Sequence, residues 1–563
     1  MMWRIDIVFG SLWVGGCGEA NWNNPYPAAD SEANILYSSF EKRPKHLDPA
    51  VSYSSNEYQF IAQIYTPPLQ YHYLKRPYTL IPLSAAKMPA VRYLDGEGQE
   101  FPATTDADDI AFSEYTVEIR PGIRYQPHPA FARDEQGNFL YHALSEQQLE
   151  PIYTLADFAQ TDTRELVAED FVYQIKRLAH PGLHSPIFGI MSGYSVGLKD
   201  YAKALKQARD EATAGLENKD GYYLDLKQHP LEGVSVVDRY RYRLRIKGKY
   251  PQLVYWLSMP FFAPMPAEAD RFYSQAGLIE RNISLDWYPV GTGPYMLTVN
   301  NPNLEMVLER NPHFSGEVYP TEGDPGDAEA GLLVDAGKSL PFIDKVVYRL
   351  ERETIPYWSK FLQGYYDSSG ISSDSFDEAV SITTQGEPTL TEDIQGKGIQ
   401  LLNAVTTSTF FSGFNMLDPV LGGDSERARL LRRAIAIAAD YEEYISIFNN
   451  GRGLASQGPL PPGLFGHREG EEGINPYVYD WVNGRPKRKS IEQARQLLVK
   501  ADYPNGIDKD TGQALVINLD TSATGPDAKA RPDWWRKQLK KPNIDLVLLS
   551  TDYTRFQDKT RTR

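Results

Sequence analysis

The sequence predicts an α/β protein in which strands and helices follow one another along the whole chain. Apolar and polar residues alternate at 115–120 and 240–246, which is typical of half-buried strands. At 168–178 and 427–448 the apolar residues instead recur with the period of an amphipathic helix. With 563 residues and 41% hydrophobic content, the chain is long enough for a sizeable core and for three or four domains. Both periods together indicate a mixed architecture.

The other elements are predicted from the same periodicities and from the turn residues that bound them. Pro67 and Pro68 end a helix at 57–65, because proline lacks the amide hydrogen that a helix interior requires. Residues 316–340 are rich in Gly, Pro, Asp and Glu, and we expect an exposed acidic loop there. Further strands are predicted at 34–40, 342–353, 514–519 and 544–549. Two further helices are predicted, one at 491–500 and one whose last residues are 536–541.

Residues 1–17 resemble the signal peptide of a bacterial lipoprotein. A mostly apolar run at 7–14 leads to the small residues Gly15 and Gly16, which stand directly before Cys17. We therefore predict cleavage before Cys17, lipid modification of Cys17, and a polar tether at 18–33. Because the apolar run is short, a buried or incidental cysteine is the alternative. No later stretch reaches the ~20 apolar residues of a membrane span, so we expect an anchored protein.

The charge balance argues against nucleic acid as a partner. Lys and Arg number 58 and Asp and Glu number 74, which gives a formal net charge of −16. Phosphate binding needs clustered cations, so an acidic, soluble surface is the plain interpretation. The 36 tyrosines combine apolar area with a polar tip, as in binding clefts, although tyrosine also fills ordinary cores. A single cysteine excludes internal disulfides and multi-cysteine metal sites.

The motifs of common enzyme classes are absent from the sequence. It contains no G-x-S-x-G elbow, no H-E-x-x-H and no G-x-x-x-x-G-K loop. His180 and His184 have the spacing of a helical metal site, but Pro181 and Gly182 between them favour loop histidines. The acidic residues at 323–329 are interpreted as a solvated loop, with a weak calcium site as the alternative. We expect no catalytic residue, no metal and no cofactor.

The most distinctive local feature is the segment PVGTGPY at 289–295. Proline fixes φ, while glycine can take the positive φ that other residues avoid, so we expect one rigid backbone path. The segment offers neither a nucleophile with a base nor a metal-ligand cluster. We interpret it as a structural turn that leads into a strand, with direct ligand contact as the alternative.

Eight short motifs in a fixed order carry a wider resemblance. They lie at 47–49 with 63–69, 115–125, 167–177, 233–238, 289–295, 309–312, 429–440 and 494–506. In this order they resemble the motifs of the family 5 extracellular solute-binding proteins, which are the oligopeptide-, dipeptide- and nickel-binding receptors of ABC importers. The resemblance extends from residue 34 to the end of the chain.

The resemblance implies the two-lobed fold of type II periplasmic binding proteins, with an extra domain inserted near the N-terminus. Lobe 1 is then expected at 34–50 and 200–402, the inserted domain at 51–199 and lobe 2 at 403–563. Such receptors capture a ligand by hinge closure and deliver it to a membrane permease without performing chemistry. The expected partners are a peptide and the permease and ATPase complex, and the expected form is a lipid-anchored monomer in the periplasm or cell envelope.

The candidate ligand contacts come from position in the family and have hydroxyl, amide or aromatic side chains, which suit a peptide ligand. They are Ser54, Ser55 and Asn56 after the first motif, and Thr409, Phe410, Phe411 and Asn415 in a crossover strand at 407–415. A plain buried strand is the alternative for the second group. Nickel, haem, sugars or opines are alternative ligands, because a fold does not choose its ligand. Outside the receptor class, a secreted hydrolase and a chaperone-like or adhesive surface lipoprotein are the alternatives.

The resemblance also implies a further segment beyond the strand at 544–549, with an aspartate that pairs with the α-amine of a peptide. The sequence ends at Arg563 before any such residue. We therefore expect an incomplete second lobe from a truncated or frameshifted product, with a functional short form as the alternative. Missing core partners would leave apolar surface exposed.

Overall fold

The computed structural model describes residues 25–27, 30, 32–215, 222–314, 316–382, 388–522, 530–551, 555–556 and 559–560. The predicted lipidation site Cys17 and the signal segment 1–17 lie outside these residues. The chain divides into two compact units, which we call unit 1 (Met1–Lys75 and Thr79–Gly370) and unit 2 (Arg76–Tyr78 and Ile371–Arg563). No helix among the described residues combines the length and the apolar character needed to cross a membrane.

Unit 1 contains both strands and helices. Its strands are β1 (Ile35–Phe40), β2 (Leu69–Tyr71), β3 (Leu80–Pro82), β4 (Ala90–Leu94), β5 (Glu100–Phe101), β6 (Phe112–Glu118), β7 (Val234–Asp238), β8 (Arg241–Lys247), β9 (Tyr295–Asn301), β10 (Glu305–Arg310) and β11 (Lys345–Leu350). Its helices are α1 (Ser55–Ile64), α2 (Glu146–Leu149), α3 (Ala168–Arg177), α4 (Phe188–Tyr194), α5 (Leu198–Ala212), α6 (Leu253–Trp256), α7 (Ala267–Tyr273), α8 (Ala276–Ile279) and α9 (Thr354–Leu362).

Two sheets organise unit 1. One has the strand order β1-β11-β10-β9, in which β1 runs parallel to β11 and the other pairs are antiparallel. The other is antiparallel with the order β5-β4-β6-β8-β7, and it takes strands from both sides of residue 199. Helix α3 packs on β7 and β8, where the rings of Phe171 and Tyr242 stack at 5.2 Å. The predicted limits of the lobes and of the inserted domain stay a prediction.

Unit 2 has its own, smaller core. Its helices are α10 (Phe376–Ala379), α11 (Glu392–Gln395), α12 (Glu426–Ala438), α13 (Tyr441–Asn449), α14 (Ile491–Lys500) and α15 (Ala530–Lys540). Its strands are β12 (Val380–Ile382), β13 (Pro388–Leu390), β14 (Tyr479–Val482), β15 (Arg485–Arg488), β16 (Val516–Thr521) and β17 (Asp545–Ser550). Strands β16 and β17 are parallel neighbours joined through α15, and the core includes Leu431, Leu498 and Ile544.

Two of the predicted elements are wrong. The single helix predicted at 427–448 is two helices, α12 and α13, because the carboxylate of Asp440 accepts a hydrogen bond from the backbone N–H of Glu443 at 3.0 Å and caps α13. The crossover strand predicted at 407–415 is not a strand: the structure gives this stretch no ladder partner among the described residues. The other predicted helices and strands are present within a few residues of their predicted bounds.

Candidate functional site

The first candidate surface is the loop that leads into α1, and Glu57 organises it. The two carboxylate oxygens of Glu57 accept five hydrogen bonds at 3.0–3.3 Å, from the backbone N–H groups of Lys45, His46, Tyr53 and Ser54 and from the hydroxyl of Ser52. Burial by itself would raise the pKa of Glu57, but these hydrogen bonds outweigh burial and lower it. These five hydrogen bonds to one buried carboxylate hold the backbone of the loop in place.

The predicted contacts Ser54, Ser55 and Asn56 lie together at the N-terminus of α1. Ser54 is the N-cap and has extended backbone angles, and Ser55 is the exposed first residue of the helix. The side-chain amide of Asn56 donates to the backbone carbonyl of Arg43 at 3.2 Å. The role of Glu57 was missed from the sequence, although a serine followed three residues later by a glutamate is the pattern of a capping box.

The second group of predicted contacts lies in one exposed stretch of unit 2. Phe410 and Phe411 are 94% and 84% exposed, Thr409 is half-buried, and Asn415 is exposed. The alternative of a plain buried strand is therefore also wrong. A strand forms only beside another strand, and β16 and β17 pair with each other rather than with this stretch. Exposed aromatic side chains at this density are typical of interaction surfaces.

The turn at 289–295 is buried and is held by its glycines through close packing. A Cβ atom on Gly291 would lie 2.0 Å from the carbonyl oxygen of Ile64, and one on Gly293 would lie 2.5 Å from that of Gln63. Neither glycine has a positive φ, so the reason first given for these glycines is wrong. They are required because the backbone of the turn lies directly against the end of α1.

Further internal hydrogen bonds fix the same turn. The side chain of Gln126 donates to the carbonyl of Pro289 at 3.2 Å and accepts from the N–H of Gly291 at 3.1 Å. The side-chain amide of Asn311 donates to the carbonyl of Gly293 at 2.9 Å, and the hydroxyl of Thr292 pairs with that of Thr66 in the interior. These hydrogen bonds tie the buried turn to distant segments of unit 1, which supports a structural role for the turn.

Two other motif residues, Asp48 and Arg177, form a buried ion pair. The guanidinium of Arg177 donates to both carboxylate oxygens of Asp48, at 3.0 and 2.7 Å. Its Nε also donates to Asp270 at 3.2 Å, and the hydroxyl of Tyr173 donates to the same carboxylate at 2.7 Å. This geometry connects the segment before α1 to helices α3 and α7, so these charges serve the architecture of unit 1.

The histidines of unit 1 occupy structural positions. His180 and His184 lie in the turns that follow α3, as predicted, and burial lowers the pKa of His180 to about 4. His128 is fully buried, which lowers its pKa to about 3 and keeps it neutral. Its Nδ1 accepts from the N–H of Ala130 at 3.1 Å, and its Nε2 lies 2.7 Å from the hydroxyl of Tyr273. Within the described part of the chain, no group of three or more His, Cys, Asp or Glu side chains has the arrangement of a metal site.

The chain matches a protein-family model over most of its length. The model described as "Bacterial extracellular solute-binding proteins, family 5 Middle" matches residues 156–563. A curated relative, "Heme-binding protein A" of Haemophilus influenzae, is 23% identical over 375 residues, which are 66% of this chain and 52% of the relative. The chain thus spans about half the length of this curated relative.

Solved structures share the fold at low sequence identity. OppA of Burkholderia pseudomallei has a TM-score of 0.54 and 14% identity, and the match covers 94% of this chain and 77% of that one. The murein tripeptide binding protein MppA of Escherichia coli has a TM-score of 0.53 with the same identity and coverage. DppA of Helicobacter pylori in complex with peptide STSA has a TM-score of 0.51 and 15% identity, covering 95% and 77%. The chain therefore has the mixed α/β fold of the two-lobed periplasmic binding proteins.

Proposed function

Because this chain belongs to the bacterial extracellular solute-binding proteins of family 5, we propose that it captures oligopeptides or dipeptides and delivers them to the permease of an ABC importer. The observation that carries the proposal is the family match over 156–563. Two of the solved neighbours support it, since DppA was solved in complex with peptide STSA and MppA is a murein tripeptide binding protein. The proposed function involves binding without chemistry.

The proposed ligand contacts are those at the start of α1 and in the exposed stretch of unit 2. Ser55 presents a hydroxyl at the first position of α1, next to the loop that Glu57 holds, and a contact that is ordered in advance lowers the entropy lost on binding. Phe410 and Phe411 present aromatic rings to solvent, and Thr409 and Asn415 belong to the same stretch. We also propose that Cys17 is lipid-modified and that the protein acts as a monomer at the cell envelope.

A defined peptide mixture tests the function directly. The purified chain is incubated with tri- to pentapeptides, separated from unbound peptide by filtration, and the retained peptides are identified by mass spectrometry. We expect a subset of peptides to be retained at unchanged mass. Retention of none would contradict the proposal, and new cleavage products would favour the hydrolase alternative.

A haem ligand is the second candidate, because the curated relative carries the name of a haem-binding protein. If the protein binds haem, a titration should shift the absorbance spectrum of the haem. The shift should stop at a fixed ratio of haem to protein. Saturable haem binding together with an absence of peptide binding would replace the peptide proposal.

A further inference from the structure

Tyr26, which follows the predicted lipidation site Cys17 closely in the sequence, is docked on unit 1. Its ring stacks on the ring of Tyr37 in β1, with 3.7 Å between the ring centroids and 11° between the ring planes. Its hydroxyl donates a hydrogen bond to the backbone carbonyl of Tyr365 at 2.9 Å. The guanidinium of Arg349 in β11 lies 5.6 Å from the centre of the Tyr26 ring. Tyr26 is therefore held by three separate segments of unit 1.

The backbone around Tyr26 favours this contact. Pro25 and Pro27 stand on either side of Tyr26 and restrict its conformations, so less entropy is lost when the ring docks. After Pro27 the chain makes two turns, in which the N–H of Asp30 donates to the carbonyl of Pro27 at 2.9 Å and the N–H of Ala33 donates to the carbonyl of Asp30 at 3.2 Å. These turns lead the chain into β1, which carries the ring on which Tyr26 stacks. In this contact Tyr26 is half-buried, and burial raises the pKa of its hydroxyl to about 12.

The position of Tyr26 limits the length of chain between unit 1 and a lipid on Cys17. An extended chain covers about 3.3–3.6 Å per residue, so the stretch from Cys17 to Tyr26 spans at most about 30 Å. If Tyr26 were released, the next fixed point would be Ile35 at the start of β1, and the reach would double to about 60 Å. Both limits follow from the number of residues and hold for any conformation of the stretch.

We infer that the docking of Tyr26 shortens the tether and holds this side of unit 1 within about 30 Å of the membrane surface; the inference rests on the proposed lipid anchor at Cys17. A shorter tether confines the receptor to a thinner layer above the membrane, which raises its effective concentration at a permease in that membrane. Of the tether predicted at 18–33, only the part before Tyr26 then separates unit 1 from the lipid.

Double electron–electron resonance on the full chain without a lipid tests the docking. One nitroxide is attached to Cys17, the only cysteine of the chain, and the other to a cysteine introduced by Ser368→Cys, at an exposed site close in sequence to Tyr365. We expect Tyr26→Ser to broaden the distance distribution and to lengthen its longest distances by up to about 30 Å. Tyr26→Phe keeps the stacked ring and should have a smaller effect. Tyr153→Ser is the control, because Tyr153 is an exposed tyrosine elsewhere in unit 1.

Energy transfer measures the consequence at the membrane. The acylated full chain is bound to phosphatidylcholine vesicles that contain a rhodamine-labelled lipid, and the donor dye is attached to the cysteine introduced by Ser368→Cys. We expect Tyr26→Ser to lower the transfer efficiency about 2-fold or more, because the longest accessible distance doubles. Tyr153→Ser should leave the transfer efficiency unchanged.

The outcomes separate the inference from the proposed function. An unchanged distance distribution in Tyr26→Ser would overturn the docking, and unchanged energy transfer would overturn the shorter distance to the membrane. If mass spectrometry finds Cys17 without a lipid in the chain expressed in bacteria, the lipid anchor and this inference both fail, while peptide capture stands. Thermal melting of each variant checks that the fold is intact.

Discussion

Arg177 is almost fully buried, and its guanidinium lies between carboxylates from distant parts of the sequence. Asp48 precedes α1, Asp270 lies on α7, and Arg177 is the last residue of α3. Removing an ion from water costs several kcal/mol, so such a group is stable only when every donor and acceptor has a partner. The guanidinium of Arg177 finds these partners in Asp48 and Asp270. Its hydrogen bonds thereby connect the segment before α1 with α3 and α7.

The first prediction concerns loss of this cation. Arg177→Met should lower the free energy of unfolding by about 3–5 kcal/mol, because the buried carboxylate of Asp48 and the half-buried one of Asp270 would lose their partner. Arg241→Met is the control, since Arg241 pairs with Asp238 at an exposed site, where water and salt screen the pair and its loss should change stability little. Urea denaturation measures both. A loss of under about 1 kcal/mol for Arg177→Met would contradict the role given to the pair.

From its contact with Asp286, we expect His46 to make the stability of unit 1 depend on pH. Its Nδ1 lies 3.1 Å from Oδ2 of Asp286, whose other oxygen accepts from the N–H groups of Leu47 and Asp48. The hydrogen bond to Asp286 raises the pKa of His46, and burial opposes this only in part. A raised pKa means that the protonated form stabilises the fold at low pH. This contribution is complete below the ordinary value of about 6.5 and is lost as pH rises through the folded pKa.

The second prediction follows from that sign. His46→Gln should destabilise the protein more at pH 5.5 than at pH 8.5, as measured by thermal or urea unfolding at both values. His229→Gln, at a partly exposed histidine elsewhere in unit 1, provides the control for the loss of an imidazole. An equal effect of His46→Gln at the two pH values would exclude the charged pair with Asp286.

At the scale of elements, the break between α12 and α13 shows what a capping residue does. Apolar residues keep a helical period through the break, so periodicity alone predicts one helix. The chain nevertheless starts a new helix at this point, because the carboxylate of Asp440 accepts a hydrogen bond from the N–H of Glu443 and caps α13. The sequence signal for this break is Asp440 itself. A search for capping residues would have predicted the break, whereas periodicity alone does not.

The third prediction tests this cap. Asp440→Ala should lower the free energy of unfolding by about 0.5–2 kcal/mol, because the N–H of Glu443 loses its acceptor. Asp440→Asn keeps an oxygen in the same place and should cost much less. Similar losses in the two variants would show that the charge of Asp440, rather than its capping oxygen, matters.

The periodicity of apolar residues within a segment predicted most helices and strands. Features that depend on segments far away in the sequence could not be predicted in this way. The alternation at 240–246 gave β8, because one face of that strand is buried whatever lies beside it. The stretch at 407–415 has strand-forming residues, but whether it pairs depends on residues elsewhere in the chain. Likewise the glycines at 291 and 293 were recognised as special, but only the packing against Gln63 and Ile64 explains why.

At the scale of the whole molecule, each unit has its own hydrophobic core. Unit 2 also has several large apolar side chains that are exposed to solvent. Leu402, Phe410, Phe411 and Leu417 are all highly exposed within a single stretch. Clusters of exposed apolar side chains are typical of surfaces that contact a ligand or partner.

The fourth prediction separates binding from folding in this stretch. Phe410→Ser and Phe411→Ser should change the free energy of unfolding by less than about 0.5 kcal/mol, because the rings are almost wholly exposed. They should nevertheless weaken peptide binding by calorimetry, about 10-fold or more if both rings contact the ligand. Phe465→Ser is the matched control, as Phe465 is an equally exposed phenylalanine of unit 2. Unchanged peptide affinity in both variants would remove this stretch from the proposed site.

The most direct test of peptide capture is calorimetric titration of the full chain with a peptide recovered from the retained mixture. The proposed function predicts saturable binding at one peptide per chain, with the peptide recovered intact afterwards. An absence of saturable heat, or recovery of the peptide as fragments, would contradict a receptor that binds and releases its ligand unchanged.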